Sequence, residues 1–367
     1  MPLPLAGLTV VAIEQAVAAP FSTSRLADAG ARVIKIERPE GDFARGYDDV
    51  ARGQSSYFVW LNRGKESVTL DLAGPQGAKE LARLLDGADV LVQNLKRGAL
   101  AKLGFSFERL ARDWPRLVTC SITGYGEGGP MADRKAYDLL IQAESGLCAI
   151  TGGPDEPARV GISLVDIATG ATAHAAILEA LIGRSVTGKG AQISVSMFDV
   201  MADWLTVPLL NHEGGKSPRR LGMAHPSIAP YGAFTAADGE QVLIAVQSDR
   251  EWRNLADLFL GQPELGTDPR FATNLARVAN RAETDALVAR GFARMTAREA
   301  IAALLRADVA LASVSDMAGL SRHPHLRRIT VDTPNGPVSY PAPAAMVAGD
   351  SRAYGPVPAL QPARVPA

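Results

Sequence analysis

The chain has 367 residues, 47% of them hydrophobic and 21% charged, with 35 Gly and 24 Pro. That is the make-up of a folded protein with many sharp connections, long enough to divide into two domains, and it excludes disordered and fibrous classes. A formal net charge of −1 with dispersed basic residues leaves no electrostatic footprint for nucleic acid.

In chain order, "LTVVAIEQ" is the first β-rich run. The preceding residues lack a basic region ahead of a long apolar core, so no signal peptide is expected. Ser22 or Thr23 is predicted to open a helix through Leu26 that ends at Gly30, where a left-handed cap is natural. "ARVIKIE" and "ESVTLDL" read as further strands, separated by a long connection from Gly41 to Gly64 that reads as a functional loop. A helix over "GPQGAKELARLLDGA", a strand "DVLVQNL", a helix "FSFERLARDWP" and a strand "LVTCSITGYG" follow. Strands alternating with helices of this length predict an α/β fold with a mostly parallel sheet.

"GISLVDIATGATAHAAILEALIGR" then places Asp166 at the start of an apolar helix, and "GKGAQISVSMFDVMADWLTVPL" adds a strand and helix up to about residue 207. Residues 208–224, rich in Gly, Pro, Ser and basic side chains, read as a linker. Residues 225–325 read as a smaller α+β unit, with a hairpin turning at Asp238-Gly239 and a capped helix over "TAREAIAALLRADV". The Pro-rich tail 326–367 is too short for a domain and is expected to return to the first one. No run of 18 uncharged apolar residues marks a membrane span. Cys120 and Cys148 both sit in apolar segments that suit buried packing in a reducing compartment, so a cytoplasmic location is expected.

Parallel sheets place their sites at the carboxyl ends of strands. Glu14, Gln15, Arg38, Asn94, Arg97 and Tyr125 fall there, but no Gly-x-Gly-x-x-Gly, Walker A or Gly-x-Ser-x-Gly pattern accompanies them. His323-Pro-His325 reads as a polar turn, and no metal site is expected. Asp166 has two readings. As a helix N-cap it needs no function. As a carboxylate in apolar surroundings, kept ionised by helix amides, it is a nucleophile toward an activated acyl group. The small residues Ala168, Gly170, Ala171 and Ala173 beside it admit the close approach of a backbone or ligand.

The segments "LAGLTVVAIEQAVAAPF", "LADAGARVIKIERPEGDFAR", "NRGKESVTLDL", "VLVQNLKRGALAKLGF", "KAYDLLIQAESGLCAITG", "GKGAQISVSMFDV" and "GMAHPSIAPYGAFTAADG" together resemble the class III CoA-transferase family, the group of formyl-CoA transferase, carnitine CoA-transferase and α-methylacyl-CoA racemase. The resemblance implies a Rossmann-like large domain, 1–207 completed by 326–367, a smaller domain and an interlocked homodimer. It implies acyl-CoA and carboxylic acid substrates, the CoA thioester serving as substrate and no cofactor being held permanently. The family's catalytic aspartate falls on Asp166, with Gln15, Tyr137 and Asp138 in support. By the same resemblance, Arg38, Leu72, Asn94, Arg97 and Lys135 are the residues expected at CoA.

Tyr137 stands where the racemase branch has a histidine, and a phenol of pKa near ~10 is a poor proton carrier beside an imidazole near ~6.5. Racemase is therefore the second reading, and an inert CoA-binding scaffold the third. Val17 stands where formyl-CoA transferases carry Gln, and their glycine-run loop is absent, which speaks against formyl or oxalate specificity. The expected substrates are short dicarboxylic acids such as itaconate, mesaconate, citramalate or malate, with succinyl-CoA as donor. Arg45, Arg52 and His225 are the candidates for the remote carboxylate.

Overall fold

In the computed structural model, which describes residues 3–74, 76–349 and 352–362, the chain folds as two units. The first comprises Met1–Cys148, Arg159–Leu210 and Arg327–Ala367, and the second Ala149–Ala158 and Asn211–Leu326.

The first unit runs β1 (Thr9–Ile13), α1 (Ala18–Asp28), β2 (Arg32–Glu37), α2 (Ser56–Asn62), β3 (Lys65–Thr69), α3 (Gly77–Leu85), β4 (Val90–Gln93), α4 (Ala99–Lys102), α5 (Phe107–Asp113) and β5 (Val118–Thr123). It continues with α6 (Asp138–Glu144), α7 (Leu147–Ile150), α8 (Leu164–Thr187), β6 (Gln192–Ser196), α9 (Met197–Trp204) and α10 (Thr206–Glu213), of which α7 and α10 run across a boundary with the second unit. The strands form one sheet of order β3-β2-β1-β4-β5-β6, every pair parallel. Alternate residues of β1 serve opposite faces. Val10 and Ala12 join Leu26 of α1 and Ala168, Ala173 and Ile177 of α8. Val11 and Ile13 join Leu81 and Leu85 of α3. Burial on both faces is why these strands read as unbroken apolar runs.

Gly170 sets the spacing of α1 and α8: a Cβ there would lie 2.4 Å from the Ala18 carbonyl oxygen. The small-residue stripe thus admits a backbone, that of α1. By length and composition alone α8 is long and apolar enough to cross a bilayer, although Asp166, Glu179 and Arg184 interrupt it and leave no run of 18 uncharged apolar residues in it. Here one side packs on α1 and the sheet, and Arg184 near its end donates to the Asp89 carboxylate at 3.0 Å.

Three local expectations need correction. Helix α1 starts at Ala18, not at Ser22 or Thr23. Both hydroxyl residues are buried inside it, and Thr23 Oγ1 donates to Glu14 at 2.6 Å instead of capping. The 41–64 connection is largely structured: a 3-10 turn at Phe43–Gly46 is capped by Asp42, and α2 is capped by Ser55. Residues 208–213 of the expected linker are helical, in α10. Of the two cysteines, Cys120 is buried and burial pushes its thiol up to about 12, whereas Cys148 is only half-buried.

The second unit carries β7 (Tyr231–Thr235), β8 (Gln241–Ala245), α11 (Asp249–Asn254), α12 (Asn274–Ala279), α13 (Arg281–Phe292), α14 (Ala297–Arg306), β9 (Ala310–Ser313) and α15 (Met317–Ser321). β7 and β8 pair antiparallel around Gly239 (φ +84°), and β9 pairs with β8. A capping box between Thr296 and Glu299 starts α14. Trp252, Phe259, Phe271 and Phe292 fill the core of this unit. The tail then forms a hairpin, β10 (Arg328–Val331) with β11 (Val338–Pro341), in the first unit. There Val331 and Val357 pack on Phe58 and Val59 of α2.

Candidate active site

Strand order reverses between β1 and β4, where the connections leave in opposite directions and a crevice forms beyond the carboxyl ends. A cleft of about 670 Å³ opens there. Its walls are residues 15–18 after β1, 94–97 after β4 and 122–124 at the end of β5, with Tyr137, Asp138, Ser163 and Asp166. A second cleft of about 340 Å³ shares Gln15 and Leu95 with the first and is lined by Arg38, Asp71 and Leu72.

Asp166 lies in the first turn of α8, inside the helix, and is not its N-cap. Ser163 holds the N-cap position but makes no capping bond. The Asp138 carboxylate does this work from α6, accepting the Val165 N–H at 2.7 Å and the Asp166 N–H at 3.2 Å. The amides expected to hold the Asp166 anion are therefore occupied by Asp138. Among the described residues, no donor or cation reaches the half-buried Asp166 carboxylate. Burial first, and then the charge of Asp138, push its pKa up to about 7. The site thus holds a carboxylate that is far more basic than usual and uncompensated by any cation.

The opposite wall is the β1–α1 turn. Ala16 sits there at φ +63°, a left-handed conformation that costs a residue with a Cβ about 1 kcal/mol or more. Asp42 holds it, with Oδ1 accepting the Ala16 N–H at 3.1 Å and the Ala44 N–H at 2.9 Å, while Oδ2 pairs with Lys35 at 2.8 Å. Lys35 in turn approaches Glu14 at 3.6 Å, and Glu14 pairs with Lys65 at 2.6 Å, all three side chains being fully buried. Burial alone would raise Glu14, but Lys65 and Lys35 outweigh it and hold the carboxyl below its usual range. Burial would lower Lys35, but Glu14 and Asp42 keep it charged. Lys65 comes down to about 8, through burial opposed by Glu14 and reinforced by Lys35. This paired interior anchors the start of α1, which has no side-chain cap and brings Val17 and Ala18 to the cleft wall.

The residues singled out in the sequence meet different fates. Gln15, Tyr137, Asp138, Asn94, Arg97 and Lys135 line the main cleft, and Arg38 and Leu72 the adjoining one. Asn94 is a clamp: its Oδ1 accepts the Gln15 N–H at 3.0 Å and its Nδ2 donates to the Gln15 carbonyl at 2.8 Å. Arg97 pairs with Asp133 at 3.1 Å, and Arg38 Nε donates to the Gly41 carbonyl at 3.1 Å.

Of the three carboxylate anchors, Arg45 and Arg52 do not line the cleft. Arg45 forms a two-armed bond with Glu37, at 2.8 and 2.7 Å, and stacks over Phe58 at 3.7 Å. Burial of Glu37 is outweighed by Arg45 and Ser67, which hold its carboxyl down at about 2. Arg52 donates to the Pro337 carbonyl at 2.8 Å. His225 belongs to the second unit, where its ring stacks on Tyr231 at 5.1 Å and its Nδ1 accepts the Ser227 N–H. A loop arginine has more than one acceptor within reach, and here protein acceptors took both.

Sequence reasoning missed Phe43, Tyr47, Tyr57 and Arg159, which also line the cleft. Tyr57 Oη lies 3.4 Å from Ser163 Oγ, and Tyr47 meets Tyr57 edge to face at 5.6 Å. The signal available for the buried pairs was the lysine inside each of two strands, "RVIKIE" and "KESVT".

Residues 5–362 match CoA-transferase family III. The chain is 37% identical to the acetyl-CoA:oxalate CoA-transferase of Acetobacter aceti, over 94% of this chain and 90% of that protein. It is 39% identical to the succinate–glutarate CoA-transferase of Agrobacterium fabrum, over 82% of this chain and 77% of the other. Among solved structures, a CaiB/BaiF family protein from Brucella suis superposes with a TM-score of 0.82 at 38% identity, covering 98% of this chain and 97% of that one. A match across nearly the whole length, joined to a reversed-order parallel sheet with a carboxylate at its switch point, shows that this chain belongs to CoA-transferase family III.

Proposed function

We propose that the protein moves CoA from an acyl-CoA to a short dicarboxylic acid through covalent intermediates on Asp166. The observation that carries this reading is the uncompensated, half-buried Asp166 carboxylate with its pKa near 7, on the wall of a cleft large enough for an acyl group. A carboxylate of raised basicity is a stronger nucleophile, and an anhydride formed from it survives only where water is kept away.

An Asp166 oxygen attacks the thioester carbonyl and the C–S bond breaks, giving a mixed anhydride and CoA thiolate. The thiolate attacks the aspartyl carbonyl, releasing the donor acid as its carboxylate and leaving an aspartyl-CoA thioester. The acceptor carboxylate attacks that thioester and expels the thiolate. The thiolate then attacks the acceptor's acyl carbon, so that the new acyl-CoA leaves and Asp166 is regenerated as a carboxylate. Each tetrahedral oxyanion needs preorganised donors, and the uncapped start of α1 at Val17 and Ala18 supplies amides on the cleft wall.

The CoA nucleotide lies along the adjoining cleft, with Arg38 at phosphate and Leu72 against the base, while Arg97 and Lys135 line its path toward Asp166. Two relatives named for dicarboxylates, oxalate and glutarate, support that acceptor class. The first of them keeps oxalate among the acceptors despite Val17. A second copy of the chain covers the apolar side chains exposed on α8, α9 and α10: Ile182, Val186, Trp204, Val207 and Leu210.

The test is kinetic. Exchange between succinyl-CoA and glutarate should be ping-pong, and Asp166→Asn should lower kcat at least ~10³-fold, as expected for loss of a covalent nucleophile. Sequential kinetics, or an Asp166→Asn enzyme with wild-type kcat, would sink the proposal.

A further inference from the structure

We infer that Arg159 binds the remote carboxylate of the dicarboxylic substrate and sets the preference for diacids over monoacids. The inference rests on the CoA-transferase reading above and names the specificity element of the same cleft.

A diacid whose reacting carboxyl lies at Asp166 needs a cation in the cleft but set back from Asp166. Direct contact would pair with Asp166 itself, and no cation does so. Five basic residues line the cleft: Lys96, Arg97, Arg134, Lys135 and Arg159. Arg97 is engaged by Asp133 at 3.1 Å and Glu127 at 4.0 Å, and Arg134 by Glu144 at 3.6 Å. Lys96 and Lys135 are point charges without the planar fork of a guanidinium, and the reading above places Lys135 along the path of CoA.

Arg159 is different. It lies four residues ahead of Ser163, the N-cap of α8, and shares the cleft lining with Ser163 and Asp166. Among the described residues its guanidinium has no acidic partner; Nε donates to the neighbouring Val160 carbonyl at 3.1 Å. Both terminal nitrogens are left for a planar, two-armed bond to a carboxylate.

The segment is also held in place. The fully buried Gln142 accepts the Val160 N–H at 2.9 Å through Oε1 and donates through Nε2 to Asp138 at 2.7 Å. Asp138 is the same carboxylate that caps α8. One side chain therefore fixes the turn that carries Asp166, and its neighbour Gln142 fixes the backbone next to Arg159. The backbone segments that carry the nucleophile and the cation are thus tied together through Asp138 and Gln142.

The experiment compares two acceptors of equal chain length, glutarate and valerate, with succinyl-CoA and with butyryl-CoA as donors, in wild type, Arg159→Gln and Arg159→Lys. In wild type the KM for glutarate should be well below that for valerate. Arg159→Gln should raise the glutarate KM roughly 30-fold, the loss expected for a two-armed charged bond, while moving the valerate KM less than about 2-fold and leaving kcat with butyryl-CoA and valerate near wild type. Arg159→Lys should recover part of the glutarate affinity. An unchanged glutarate-to-valerate ratio in Arg159→Gln would overturn the inference. A wild-type enzyme that transfers CoA to neither acid would instead overturn the underlying reading, so the two failures are distinguishable.

Discussion

Replacing Asp166 by Asn should make the protein more stable, and by an amount that depends on pH. The Asp166 carboxyl is raised from 3.8 to about 7 in the folded protein, so the native state binds its proton more tightly than the unfolded state does. Below pH 3.8 both states are protonated and the group is neutral to stability. As pH rises the unfolded chain loses the proton first, stability falls, and the loss is complete above pH 7. With these two pKa values the penalty is about 2 kcal/mol at pH 5 and about 4 kcal/mol at pH 8. Asn keeps the shape, has no charge to desolvate and leaves the Asp138 cap intact, so it removes the penalty. The stability gap in favour of Asp166→Asn should thus widen by about 2–3 kcal/mol between pH 5 and pH 8, or roughly 5–10 °C in Tm for a domain of ~200 residues. Thermal and urea unfolding of both proteins at pH 5, 6.5 and 8 measures it. A gap that is flat with pH, or an Asn variant less stable at pH 8, would refute the electrostatic description of the site.

With Asp166 reacting as the carboxylate, as proposed, kcat/KM should fall with unit slope as pH drops below about 7. Asp138→Asn keeps an acceptor for the α8 amides but removes the like charge, so the acidic limb of that profile should move to lower pH; an unmoved limb would show that Asp138 acts only as a cap. Gly170→Ala forces a Cβ to within 2.4 Å of the Ala18 carbonyl and should cost about 1–3 kcal/mol in urea unfolding, with kcat lowered as the start of α1 shifts. Lys35→Met leaves Asp42 and Glu14 short of a buried cation and should destabilise by about 3–5 kcal/mol; a loss below about 1 kcal/mol would mean that the two acids find other partners.

The parallel sheet was legible because burial on both faces leaves nearly unbroken apolar strands, and the alternation of strands with amphipathic helices dictates crossover connections. Asp166 was legible as a position, through its place at the start of an apolar helix and through family resemblance. Its environment was not. The side chain that caps α8 is Asp138, and only the packing of α6 beside α8 reveals that relation. Thr23 shows why local signals mislead: a hydroxyl ahead of an apolar stretch reads as a cap, yet here it satisfies Glu14 in the interior. Lys35 and Lys65 lie within strand sequences, but their shared partner Glu14 appears only once β1 lies beside β2 and β2 beside β3. Arg45 and Arg52 were read from loop position and charge, and the tail that returns to the first unit supplied acceptors to both, at Pro358 and Pro337. Arg159 gave no signal because its value lies in lacking an acidic partner.

The most direct test of the central claim is to mix the enzyme with glutaryl-CoA without acceptor, quench with hydroxylamine, digest and weigh the peptide that contains Asp166. The account predicts a hydroxamate on Asp166 that forms only with the thioester and is absent in Asp166→Asn. Active enzyme that yields no adduct on Asp166, or an adduct on another residue, would contradict it.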